Sequence, residues 1–323
     1  YFNTYVYADC PCHGFGFTVC PNCHAAQAEW DAKSKQYDKW LEERKDKVER
    51  TAFLKDPEKR NVQYIEGEFF YVSGTIRACD VMEGNKRIKM TAGERAALYI
   101  KRCDSMYRDR FYKTVNTTDH KPKAKFNVTL WSKVADCLDA AQRLAGARQA
   151  GLSTGGTVIT VEDSSGDQEV YKMVIHGSGH MILYEYSDYV AGGVPDWFLE
   201  AYSHWMEYQI FGEVTMNCAA EGGAGGLTGR SLENQIKMII KNPRMPNIMD
   251  FCNWEMSKLD PQMRLVSFGL VDWMIKGLGG KKLDLFLVVF KRTKSVAQSF
   301  RDAYGIKLTD VMEEWKKWVI ENY

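Results

Sequence analysis

Short alternating stretches of apolar residues open the readable part of the chain, and long runs at helical spacing follow. EGEFFYVSGTI at 66–76 and KFNVTLW at 125–131 read as strands. Between them, TAGERAALYIKRCDSMYRDRFY sets Ala97, Ile100, Cys103, Met106 and Phe111 toward one side and predicts a helix over 94–112. A second, shorter helix is expected over 131–145. TVITV, between Ser153-Thr-Gly-Gly and the turn-forming SSGD, predicts a strand at the lip of a groove.

From residue 169 the period is helical. EVYKMVIHGSGHMILYEY carries apolar residues at Tyr171, Val174, Ile175, Met181, Ile182 and Leu183, with glycines at 177 and 179 inside it. Each interior glycine costs roughly 1 kcal/mol against alanine. Propensity alone therefore predicts a break there, unless packing or metal ligation compensates. PDWFLEAYSHWMEYQIF, 195–211, predicts a further helix starting near Pro195, with Trp197, Phe198, Ala201, Trp205 and Tyr208 on its packed face. LENQIKMIIKNP and the segments after 262 continue the pattern. LDLFLVVF, bounded by Lys281, Lys282, Lys291 and Arg292, reads as a buried helix segment. A membrane span needs about twenty consecutive apolar residues, and no such run occurs.

The first sixty residues differ in character. DCPCHGFGFTVCPNCHA is a cysteine-rich segment within 1–25, and AAQAEWDAKSKQYDKWLEERKDKVERTAFL reads as a charged helix with a sparse stripe of Trp30, Tyr37, Trp40, Leu41, Val48 and Phe53. KDPEKRN at 55–61 is the expected linker. The predicted organisation is thus a cysteine knuckle at 1–25, a helical arm and linker at 26–61, a sheet-and-helix lobe at 62–211 and a helical lobe at 212–323. At 45% hydrophobic and 26% charged, 323 residues can bury a substantial core. A formal charge of +1 supplies no global field for nucleic acid. Ala219-Ala-Glu-Gly-Gly-Ala-Gly-Gly-Leu-Thr-Gly-Arg230 lacks the order of a phosphate-binding loop and reads as a connection between helices.

Chemistry concentrates in two places. His176 and His180 are four residues apart, so on a helix both imidazoles share one face and can meet one tetrahedral cation. Glu200 sits among apolar residues, where an ionised carboxylate needs a partner or a metal. The alternative is a pair of ordinary core or groove histidines. His204, four residues after Glu200, lies on the same helix face. It is a candidate to hydrogen-bond the glutamate from behind, to replace a ligand or to contact a bound chain, unless it is simply a buried histidine.

HxxxH, nineteen intervening residues and Glu, together with P-x-W-F-L-E-A-Y-S-H-W, resemble the gluzincin superfamily of metallopeptidases, the thermolysin-like group. The closing F-x-x-x-Y-G-x-x-L-x-x-V-x-x-x-W pattern, with Phe300, Tyr304, Gly305, Leu308, Val311 and Trp315, is similar to that group's helical tail. The resemblance implies an α+β scaffold with a small mixed sheet, zinc-site helices and a helical C-terminal lobe. It puts His176, His180 and Glu200 in the three zinc-ligand places and Gly177 in the place of the general base. A zinc site of this kind without its carboxylate lacks the designed proton acceptor. The implied protein binds zinc, has no ordinary peptidase activity and acts in protein binding or complex assembly. The competing reading is an active zinc peptidase with an unusual base, for which Glu185, Asp188 and Glu207 are the nearby acids. An edge strand beside the metal helix pairs with extended peptide in this superfamily, so a protein or extended peptide is the expected partner.

The second place is the N-terminal segment. Cys10, Cys12, Cys20 and Cys23 form two close pairs suited to a second zinc ion, with Gly14 and Gly16 allowing a tight turn. The segment resembles the cysteine repeats of DnaJ-type chaperones over about 10–25. Cys20-Pro-Asn-Cys23-His24 also completes a c-type haem motif, with His24 as axial ligand, which leaves a haem-containing redox or assembly subunit as a third reading. Nine cysteines leave at least one unpaired. Reduced zinc thiolates favour an intracellular setting, whereas haem or disulfides favour an exported or periplasmic one. Asn116-Thr-Thr and Asn127-Val-Thr match the glycosylation pattern.

Overall fold

Phe126–Trp131 is buried at every position, as a strand must be when a sheet is covered on both faces. The computed structural model describes residues 63–83, 86–115, 122, 124–145, 152–154, 157–161, 166–187, 192–214, 227 and 229–323. In chain order the first strands are β1 (Gln63–Glu66), β2 (Phe70–Gly74), β3 (Cys79–Glu83), β4 (Lys86–Met90), β5 (Phe126–Trp131), β6 (Leu152–Thr154) and β7 (Thr157–Val161). Five of them make one sheet in the order β1-β2-β5-β7-β6, while β3 and β4 pair as a separate hairpin. The central β2, β5 and β7 run parallel, and β1 and β6 close the two edges antiparallel.

The strand expected over 66–76 is therefore two. Gly67 makes the turn between them, and the Asp104 carboxylate accepts the amides of Glu68 at 2.8 Å and Phe69 at 2.9 Å. TVITV is a strand as expected, but it lies inside the sheet and β6 takes the edge. Asn127 is 5% exposed within β5, so its glycosylation pattern lies within the folded sheet.

Helix α1 (Ala92–Met106) begins with a reciprocal cap in which Thr91 and Glu94 satisfy each other's backbone amides. It passes through a single π turn at Tyr107–Phe111 into α2 (Tyr112–Val115), so the expected helix is present with one re-phased turn. Next come α3 (Val134–Ala145), α4 (Asp167–Tyr186) and α5 (Asp196–Phe211), then a minimal hairpin of β8 (Glu213–Val214) and β9 (Gly229–Arg230). The remaining helices are α6 (Leu232–Ile239), α7 (Ile248–Phe251), α8 (Pro261–Lys276), α9 (Gly280–Thr293), α10 (Val296–Tyr304) and α11 (Leu308–Asn322). LDLFLVVF falls in α9 and is amphipathic rather than wholly buried. Leu283, Phe286 and Leu287 point into the core, while Leu285 is 44% and Val288 40% exposed.

The fold is α+β, mostly helical with a small sheet. One apolar core runs from Phe70 in β2 through Trp197 in α5 to Val319 in α11, so the two lobes predicted to meet at 211 share their interior. Among the described residues no helix is long and apolar enough to cross a membrane. Cys10, Cys12, Cys20, Cys23, His24, the charged arm, Asn116 and most of the glycine-rich 219–230 stretch lie outside the described residues.

A buried ionic knot fixes the start of α4. Asp167, in its first turn, receives Arg95 at 2.9 Å, Arg102 at 2.8 Å and the Tyr99 hydroxyl at 3.0 Å, all from α1. Burial alone would raise the Asp167 pKa, but the two guanidinium groups outweigh it and hold the carboxyl below its ordinary value. Replacing Asp167 by Ala leaves Arg95, 2% exposed, without this counter-charge. The expected cost is roughly 3–5 kcal/mol at pH 7. A depressed folded pKa adds stability above the unfolded pKa and loses it as pH falls toward the folded value. Chemical denaturation should therefore show the gap between wild type and Asp167→Ala narrowing below about pH 4.

Candidate metal centre

Helix α4 runs unbroken through His176-Gly-Ser-Gly-His180, against the expectation from glycine propensity. Packing supplies the reason. A Cβ built on Gly179 would lie 2.7 Å from Ser203 Oγ, 3.0 Å from Ser203 Cα and 3.1 Å from Ser203 Cβ. At this crossing α4 lies against the backbone of α5, and only a residue without a side chain fits. Burial of the apolar residues on either side outweighs the local propensity cost.

That proximity brings the predicted residues together. His176 Nε2 lies 3.1 Å from His180 Nε2, and Glu200 reaches both, with Oε2 at 3.4 Å from His176 Nε2 and Oε1 at 3.4 Å from His180 Nε2. A tetrahedral ion with bonds of about 2.0–2.1 Å separates its donors by about 3.3–3.4 Å. The two nitrogen–oxygen separations match that edge, each through a different oxygen of Glu200, and the nitrogen–nitrogen separation is shorter. All three residues are buried, with Glu200 3% exposed. Glu200 Oε2 accepts no hydrogen bond, an expensive state for a buried carboxylate oxygen and one that a metal bond would relieve.

His204 stands beside this group. Its ring centroid is 4.7 Å from that of His176, and donor atoms of His176, Glu200 and His204 all lie within 4.8 Å of one another. This buried trio can also hold a metal ion. Two overlapping donor sets thus share His176 and Glu200. The set with His180 is the tighter of the two.

No protein-family model and no curated protein matches the chain.

Glu207 was missed as a partner of His176. From sequence it sits two turns beyond Glu200, roughly 10 Å along the axis, and reads as remote. In the fold its Oε2 is 3.8 Å from His176 Nδ1 and 3.5 Å from His204 Nδ1. A second glutamate seven residues after Glu200, on the helix face that also carries His204, was the signal available in the sequence. Arg264 was also missed. This 3% exposed residue of α8 lines a narrow crevice with Glu200, His204 and Trp197, and its trace in the sequence is a basic residue inside the apolar period of 263–274, which also holds Asp272.

Of the other acids, Glu185 is buried in α4 nine residues after His176, which at 3.6 residues per turn turns it roughly 180° away. Asp188 lies outside the described residues. Gly177 is buried in α4.

Burial pushes the Glu200 pKa up, but the facing His180 and His176 outweigh it and hold the carboxyl well below the ordinary range. For Glu207 burial again raises the pKa, and His176 and His204 bring it down to about 2. Both carboxylates are thus ionised at neutral pH.

Replacing Gly179 with alanine tests the crossing. The added methyl must displace Ser203 backbone atoms, and overpacking of this kind costs about 1–3 kcal/mol. Thermal denaturation should show Gly179→Ala less stable than wild type despite alanine's better helix propensity. Adding Ser203→Ala should fail to restore it, since the contacts to Cα and Cβ remain.

Proposed function

We propose that the chain is a gluzincin-like zinc-binding protein that has lost the hydrolytic base and serves in protein binding or complex assembly. One observation carries this reading: two imidazole nitrogens and a carboxylate converge with separations of 3.1 to 3.4 Å, while Gly177 occupies the place where the resembled superfamily carries its proton acceptor. Two nitrogen donors and one oxygen donor suit zinc.

A bound zinc ion supplies polarisation of a coordinated oxygen. The chain's own groups do the rest. His176 and His180 present Nε2 and Glu200 presents both carboxylate oxygens to the same point. Hydrolysis further requires a base on the open side of the metal. Glu207 faces Nδ1 of His176, the side of the ring away from Nε2, and is therefore placed to orient the ligand rather than to accept a proton from a polarised oxygen. This favours binding over turnover.

The sheet supports a peptide partner. β6 forms the edge of the five-stranded sheet and packs beside α4. An edge strand in that position suits main-chain pairing with an extended segment, an interaction that survives loss of cleavage chemistry.

Metal analysis of the purified chain should find zinc, and the double variant His176→Ala/His180→Ala should retain about one ion fewer per chain. Peptide hydrolysis by wild type should not exceed that of the double variant. Chelator-sensitive hydrolysis abolished by the two substitutions would establish the active-peptidase reading instead.

A further inference from the structure

A cavity of about 320 Å³ opens among the C-terminal helices and shares no lining residue with the metal centre. It is lined by Glu233 of α6, Lys276 of α8, Trp318 and Asn322 of α11, and Tyr323, which follows α11. Ligand pockets span about 300–1,000 Å³, so this volume suits a small molecule.

The charges around it do not balance. Asp272, buried in α8, accepts the Trp205 indole N–H at 2.7 Å, the Tyr323 hydroxyl and the Lys276 ammonium at 2.7 Å. Lys276, the cation of the lining, is thereby neutralised. Glu233 is met instead by the hydroxyl of Tyr208. Burial and the facing Glu233 carboxylate hold that phenol well above its ordinary pKa, so it donates a proton without carrying charge. Among the described residues no cation pairs with Glu233. Two carboxylates against one ammonium thus leave one negative charge uncompensated, and it resides on Glu233.

We propose that this cavity binds a small organic monocation, an ammonium or guanidinium group on an apolar stem, with the charge on Glu233 and the stem against Trp318 and Tyr323. A carboxylate with one neutral donor retains lone pairs for a charge-assisted hydrogen bond. The indole and phenol rings, 5.2 Å apart at 68°, supply apolar area and an attraction for positive charge. Asn322 uses its side-chain N–H on the Trp318 carbonyl at 2.8 Å, so its amide oxygen adds an acceptor rather than a donor. An anion would face Glu233 directly. A second positive charge on the ligand would meet Lys276, which restricts the class to monocations.

The walls are set before any ligand arrives. Tyr323 and Lys276 are tied to Asp272, and Glu233 to Tyr208. A Cβ on Gly277 would lie 2.8 Å from Trp318 Nε1, so the indole packs closely on the end of α8. Side chains already fixed lose little freedom on binding. Nothing in this arrangement depends on zinc.

The test titrates the full chain with benzylamine, its neutral counterpart benzyl alcohol and its anionic counterpart benzoate, read by calorimetry and by the indole N–H resonance of Trp318. Benzylamine should bind saturably and shift that resonance, with benzyl alcohol at least about tenfold weaker and benzoate weaker still. Glu233→Gln, which keeps the side-chain size and removes the charge, should weaken benzylamine by a similar factor and leave benzyl alcohol unchanged. Equal binding of amine and alcohol would reduce the cavity to an apolar slot and overturn the proposal. Tighter binding of benzoate would reverse its sign, and an unshifted Trp318 resonance would place the amine elsewhere. The absence of saturable benzylamine binding at millimolar concentration also overturns it. If Glu233→Gln fails to fold, the three probes on wild type decide by the same criteria.

Discussion

The close crossing of α4 and α5 at Gly179 and Ser203 is the constraint on which the centre depends. A glutamate side chain is short, and its oxygens reach two imidazoles on a neighbouring helix only when the backbones nearly touch. Side-chain volume at position 179 would separate the helices and withdraw Glu200 from both rings. The glycine that weakens the helix in isolation is thus what lets the pair of helices build a common site. Continuity of α4 through this point follows from the burial of Val174, Ile175, Met181 and Leu183 on either side.

Both helices are tied at other points by buried polar contacts. Asp167 binds the start of α4 to Arg95, Arg102 and Tyr99 of α1. Asp272 of α8 accepts the indole N–H of Trp205 at 2.7 Å, which holds the middle of α5 against the C-terminal helices. These interactions do not provide metal donors. They fix the two helices that carry His176, His180 and Glu200, whose convergence tolerates little displacement.

The electrostatic character of the interior changes along α4. At its first turn a carboxylate is balanced by permanent cations, and the result is a self-sufficient knot. Two and three turns later the facing groups are imidazoles, which supply positive charge only when protonated. Glu200 and Glu207 are buried there with a weaker intrinsic counter-charge, a setting that a divalent ion stabilises. The buried carboxylates of the fold thus differ in what lies opposite them.

Much of this was legible in the residues. The i, i+4 histidines, the helix from Pro195 and the apolar setting of Glu200 depend on local periodicity, which sequence expresses directly, and α1, α3, β5 and α8 follow from the same source. Gly179 could not be understood that way, since its role is a distance to another helix. TVITV could be read as a strand, but its interior place in the sheet depends on pairing with β5 and β6, which alternation does not encode. Glu207 looked remote because sequence measures separation along one axis, whereas the crossing of α4 over α5 sets which residues meet. The sequence by itself determined the i, i+4 spacing of the two histidines, the helix face that Glu200 shares with His204, and the glycine that follows the first histidine. Only the tertiary structure decided that His176, His180 and Glu200 converge and that Glu207 stands behind them, because those relations arise from packing between elements rather than from spacing within one.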